Sequence, residues 1–174
     1  MRIMVTGGVR SGKSKHTEGL FDDAAVISYL APGRPADGQD PEWDARVARH
    51  RSRRPAHWVT VETAALDDAC RAASGSVLID CLRTWLTAAM DTGQLWEATT
   101  EEAYAAMSLR IDSLCHALAD RPVAVVVTNE VGLGVVPSHR SGVMFRDLLG
   151  TVNQRVAAVC DEVHLVIAGR VLKL

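Results

Sequence analysis

Arg2-Ile3-Met4-Val5-Thr6-Gly7-Gly8-Val9-Arg10-Ser11-Gly12-Lys13-Ser14 is the stretch on which the fold turns. Residues 2–6 read as a short strand, apolar on both faces. Residues 7–14 fit G-x-x-x-x-G-K-[ST], and a helical pattern follows. Strand, glycine loop and helix in that order make a phosphate-binding P-loop. Gly7, Gly8, Val9, Arg10, Ser11 and Gly12 form the cradle, because glycine lets backbone N–H groups curl around phosphates at a helix N-terminus. Lys13 is then placed to reach the β and γ phosphates of a nucleotide, and the Ser14 hydroxyl to ligate magnesium.

Outward from this loop, short β-branched runs alternate with longer helical patterns. AVISYLA, HWVTVE, SVLIDC, PVAVVVTN and EVHLVIA follow RIMVT as strands, most of them apolar on both sides. Such runs belong to a parallel sheet covered by helices on both faces. In the closing EVHLVIAGRVLKL, Gly169-Arg170 separates two short strands and turns the last one antiparallel. Asp40-Pro41-Glu42 supplies a helix cap, a first-turn proline and a first-turn acid, and predicts a helix from Pro41 to about Ser52. Thr99 to Glu102 reads as a capping box. The irregular segment APGRPADGQD, residues 31–40, reads as a rim loop.

The 174 residues, 48% of them hydrophobic, suffice for one sizeable core, so residues 1–174 are expected to form a single domain. With 19 Lys+Arg against 21 Asp+Glu, the formal charge is -2, and nothing global points to nucleic acid or an anionic membrane. Cys70, Cys81, Cys115 and Cys160 form no C-x-x-C and suggest neither zinc nor a disulfide framework. The opening MRIMVTGG is too poor in apolar residues for a signal peptide, and no run is long enough for a membrane span. A cytoplasmic location is expected.

A P-loop needs a second carboxylate near the metal, commonly at the end of a neighbouring apolar strand. Val77-Leu78-Ile79 leads into Asp80, which could serve the metal, cap the following helix, or do both. Asn129-Glu130 stands at the end of another strand, where open α/β sheets bind ligands. A switch GTPase would carry Asn-Lys-x-Asp after a late strand, and Thr128-Asn129-Glu130-Val131 is not that motif. A nucleic-acid motor would need a second core or a broad basic face. A small phosphotransferase and a non-catalytic nucleotide-binding subunit remain.

RVARHRSRRP, residues 46–55, gathers five arginines around His50. On a helix, Glu42, Arg46 and His50 share a stripe beside the apolar pair Trp43 and Val47. The residues alone allow two readings. One is a solvated basic face. The other is a histidine nucleophile with an arginine phosphate clamp, in which each donor aimed at developing charge contributes about 10² to 10³ in rate.

Several blocks together resemble the bifunctional adenosylcobinamide kinase/adenosylcobinamide-phosphate guanylyltransferase family. They are GGVRSGKS, the E-x-x-x-R-x-x-x-H-x-x-x-R-P-x-x-W element from Glu42 to Trp58, LIDCLRTWLT, VVTNEVGLGVVP, FRDLLGTVNQRVAAVCDEV and LVIAGRVLKL. They occur in the family's order over nearly the whole chain. The resemblance implies a RecA-like α/β P-loop subunit, assembled as a homotrimer, that uses magnesium, ATP and GTP. It implies phosphorylation of the aminopropanol hydroxyl of adenosylcobinamide, then transfer of GMP from GTP to the adenosylcobinamide phosphate with release of pyrophosphate. The family's guanylylated histidine falls on His50. Arg46, Arg49, Arg53, Glu62 and Asp80 would lie on the nucleotide, with Ser14 and Asp80 on the metal side. The loop at 31–40 is longer than the family's usual link, so substrate contacts there do not carry over.

Overall fold

The structure is a computed structural model and describes residues 1–22, 24–52 and 54–174. The strands are β1 (Arg2–Thr6), β2 (Ile27–Ala31), β3 (Val59–Glu62), β4 (Ser76–Asp80), β5 (Ala124–Val127), β6 (Glu162–Ile167) and β7 (Arg170–Lys173). They form one sheet in the order β3-β2-β4-β5-β1-β6-β7, parallel except where β7 returns along β6. The parallel sheet and terminal antiparallel hairpin are those expected. Several strands stop short of the apolar runs that announced them: β2 and β3 each begin two residues into theirs, and β5 is shortened at both ends.

The helices are α1 (Lys13–Glu18), α2 (Pro41–Ser52), α3 (Leu66–Ala72), α4 (Leu82–Thr92), α5 (Thr100–Ala119) and α6 (Arg140–Ala157). Alternation along the strands divides the core in two. Met4, Val77, Ile79 and Val126 face the cluster built with Leu86, Met107, Leu114 and Leu148 of the longer helices. Ile3, Val5, Leu78 and Val127 face a second cluster, which Leu20 and Phe21 join just after α1. Burial on both faces explains why these strands are continuous apolar runs. β3 and β7, at the edges, are largely exposed. No helix among the described residues is long and apolar enough to cross a membrane.

The caps form as read. Asp40 Oδ1 accepts from the Trp43 amide at 3.0 Å, and Thr99 and Glu102 exchange the reciprocal bonds of a capping box. Yet α2 contains no buried residue: Trp43 and Val47 are only half covered. It lies over the carboxyl ends of the strands instead of packing into the sheet.

The β6–β7 hairpin turns on Ala168 and Gly169, with φ of 50° and 77°. Two successive positive φ values make the type I′ turn that suits a twisted hairpin. The Gly169 amide donates to the Ser11 carbonyl at 2.8 Å, so this turn supports the phosphate loop.

Candidate active site

The phosphate loop leaves β1 at Gly7, whose φ is 146°; a Cβ there would lie 2.2 Å from the Val166 carbonyl oxygen, and no larger residue fits. Gly12, at φ 103°, caps α1 and passes close to Gly169. Between them Gly8, Val9 and Arg10 are exposed, Arg10 with φ 58°, and Ser11 is half-buried. Lys13 Nζ donates to the carbonyls of Gly7 at 2.8 Å and Gly8 at 2.7 Å. Burial lowers the lysine's proton affinity; Cys81 and Asp80 raise it in part and Arg83 lowers it further. Ser14 follows on the first turn of α1. The hydroxyls of Thr6 and Ser11 are enclosed without a hydrogen-bond partner among the described residues. On the far side the Glu130 amide donates to the Gly7 carbonyl at 3.2 Å. Buried Asn153 of α6 fixes this second wall, accepting from Thr128 Oγ1 at 2.6 Å and donating to the Asn129 carbonyl at 3.0 Å.

The second half of the site lies across the end of β4. His50, in the last turn of α2, brings Nδ1 to 3.6 Å from Asp80 Oδ2. The same oxygen accepts from the Tyr29 hydroxyl at 2.5 Å. Sheet register explains that meeting: Tyr29 pairs with Leu78, so Asp80 is its diagonal neighbour on the same face. Burial alone would push the Asp80 carboxyl up, but the His50 imidazole, the Tyr29 hydroxyl and the Arg54 charge outweigh it and hold the group below its ordinary range. Burial and Asp80 drive the Tyr29 phenol well above its ordinary value, so it stays a donor. The Arg54 guanidinium stacks 3.5 Å over the Tyr29 ring. Asp80 does not cap α4, whose N-cap is Cys81 with no side-chain capping hydrogen bond.

The remaining expected residues separate. Arg46 and Glu62 line the cleft beside His50, and Glu62 pairs with Arg51. Arg49 is exposed and outside that lining. Arg53 lies outside the described residues. Tyr29, Arg34, Arg54 and Arg83 line the cleft without having been singled out in the sequence. Arg54 carried a signal, its place beside Pro55 in the arginine cluster. Tyr29 arrives through strand register, Arg83 through helix placement and Arg34 on the loop between β2 and α2.

The two halves adjoin, since Asp80 faces His50 while its charge is felt at Lys13. A phosphate cradle beside a histidine held over a carboxylate defines a nucleotide-binding P-loop protein of the phosphate-transfer class. The chain belongs to the cobinamide kinase/cobinamide phosphate guanyltransferase family, which it matches over residues 3–174. It is 40% identical over 189 residues to the bifunctional adenosylcobalamin biosynthesis protein CobU of Salmonella typhimurium, covering 100% of this chain and 99% of that protein. The protein of the same name from Escherichia coli is 40% identical over 185 residues, with 100% and 99% covered. Among solved structures, an ATPase from the type III secretion system of pathogenic bacteria superposes with a TM-score of 0.54 at 14% identity, over 94% of this chain and 50% of that one. That likeness establishes the shared fold.

Proposed function

We propose that residues 1–174 act as one transferase domain that carries out both reactions of its family at a continuous nucleotide site. The observation that carries this reading is Asp80, which links the two halves. In the kinase step the loop amides and Lys13 hold the phosphates of ATP while the γ-phosphoryl passes to the aminopropanol hydroxyl of adenosylcobinamide. Positioning and charge neutralisation suffice there, and no protein nucleophile is needed.

Guanylyl transfer uses His50. A carboxylate beside Nδ1 favours the tautomer with its proton on that nitrogen and leaves the Nε2 lone pair free. Nε2 attacks the α-phosphorus of GTP, a P–N bond forms, the bond to the β-phosphate oxygen breaks, and pyrophosphate leaves. An oxygen of adenosylcobinamide phosphate then attacks the same phosphorus, the P–N bond breaks, and its electron pair returns to the imidazole. Splitting an exchange between anions into two steps is the advantage of the covalent route. Arg46 and Arg54 flank the path, with Glu62 on the nucleotide side; Arg49 and Arg53 belong to the same basic segment.

Among the described residues no group of three or more His, Cys, Asp or Glu could hold a metal. Magnesium suits such a site, because it keeps several waters and leans on nucleotide phosphates. The Ser14 hydroxyl and Asp80 Oδ1 would hold it, since Asp80 Oδ2 is engaged by Tyr29; it would supply charge neutralisation on the phosphates. A cytoplasmic location is supported by four free cysteines. A homotrimer is supported by the resemblance and by the exposed apolar residues Leu133, Val135 and Val136 on the loop after β5.

The test is to incubate the protein with GTP labelled at the α-phosphate and recover acid-labile, alkali-stable label on protein. His50→Ala is expected to abolish both label and GDP-linked product while retaining appreciable ATP-driven phosphorylation of adenosylcobinamide. Equal loss of both activities in a folded variant would assign His50 to a shared binding role and remove the covalent step.

A further inference from the structure

Two clefts meet beside His50. The narrow one contains the histidine; the wider, about 640 Å³, runs between the loop at 32–35 and the outer face of α4. Arg34, Trp43, Glu62, Arg83 and Thr84 line both and form the seam between them. Most charged groups at the wider cleft already have partners. Arg34 pairs with Asp40 at 3.4 Å, Glu62 pairs with Arg51, and Asp91 accepts from the Trp96 indole at 2.5 Å. Arg83 differs. It is half-buried on the first turn of α4 and makes no hydrogen bond or ion pair among the described residues.

A guanidinium partly withdrawn from water without a counter-charge is costly to maintain, and its planar fork suits a phosphate held by two hydrogen bonds. The donor nucleotide already has ligands for its phosphates in the loop amides and Lys13. The acceptor does not. Its phosphomonoester must approach a guanylyl phosphorus that is itself anionic, and a cation at the point of entry offsets that repulsion. The wider cleft is the approach left open on the α4 side of His50.

We propose that Arg83 binds the phosphomonoester of the acceptor and holds it at the seam for attack on the guanylyl group. This rests on the guanylyl-histidine reading above. The acceptor oxygen forms the new P–O bond as the P–N bond to His50 breaks; Arg83 neither gains nor loses a proton and supplies two donors to non-reacting oxygens.

The experiment separates the two sides of the reaction. Guanylylated protein is freed of GTP, then discharged either with adenosylcobinamide phosphate or with pyrophosphate, which reverses the labelling step. For Arg83→Met, label uptake from GTP and discharge by pyrophosphate are expected within about threefold of the parent protein. The concentration of adenosylcobinamide phosphate giving half-maximal discharge is expected to rise roughly thirtyfold or more, the size of loss that follows removal of one partner of a desolvated charge pair. Arg83→Lys should recover part of it. Unchanged discharge by the acceptor would overturn the assignment, and so would equal losses with both nucleophiles, which would place Arg83 on the donor side or in folding. Failure of the parent protein to take up label would instead defeat the guanylyl-histidine reading, a distinguishable result.

Discussion

At the scale of the residue, the site joins groups of very different legibility. Gly7, Gly12, Lys13 and Ser14 are readable because one local motif holds them; the arginines draw notice to His50 but leave a solvated face and a nucleophile open, and only the family resemblance chooses between them. Tyr29 is not readable: in sequence it is one more apolar strand residue, and its hydroxyl acquires a role only when register brings it to Asp80. Arg83 is hidden in the same way, by the direction in which α4 leaves β4. The bond pattern around Asp80 has a consequence for rate. If its carboxylate fixes the His50 tautomer, Asp80→Asn removes the charge while keeping the shape, and guanylylation should slow by roughly 10²-fold or more, the usual range for positioned proton-bearing partners. Single-turnover labelling with α-labelled GTP measures this. A rate unchanged across neutral pH would remove Asp80 from the orienting role. A magnesium titration of kinase turnover, run alongside, reports separately on a metal-side role, which would show as a raised magnesium requirement.

At the scale of the element, boundaries followed from caps and interiors from periodicity. The runs leading into β1, β4, β5 and β6 announced buried parallel strands, and the acid-proline pair at residues 40–41 fixed the start of α2. What α2 packs against could not be read, since half-covered Trp43 and Val47 give the same spacing as a helix facing a full core. α5 is the contrasting case, a long helix buried along Met107, Ile111 and Leu114 and closed at its start by Thr99 and Glu102. Thr99→Ala removes the side-chain acceptor of the Glu102 amide and is expected to cost about 1 kcal/mol of unfolding free energy. Urea denaturation at neutral pH would show it as a lower midpoint with an unchanged slope. A variant as stable as its parent would mean that the α5 terminus is satisfied by solvent alone.

At the scale of the whole molecule, the parallel character of the sheet was legible but its order was not, because β1 pairs with strands far away in sequence. One ion pair helps lock that long-range arrangement. Arg2, at the start of β1, bonds Asp161, just before β6, through its guanidinium at 2.9 Å and its amide at 2.7 Å. These contacts hold the Asp161 carboxyl down at about 2. A folded-state value below the unfolded one of about 3.9 gives stabilisation that is complete above that unfolded value and disappears as pH falls toward 2. Asp161→Asn should therefore lower the urea midpoint at neutral pH and flatten its decline in acid; parallel acid profiles for the two proteins would contradict this. The same strand order also governs how the molecule comes into being. β1 is made before the other strands, yet its neighbours β5 and β6 begin only at Ala124 and Glu162. At roughly 5–20 residues per second, several seconds pass in which β2, β3 and β4 can associate while β1 has no strand to dock on. In the folded protein the Val166 carbonyl lies behind Gly7 and the Gly169 amide bonds Ser11. The growing polypeptide thus carries its phosphate motif well before the strand and turn that support it, and the supported cradle can form only once β6 and the Ala168–Gly169 turn have been made.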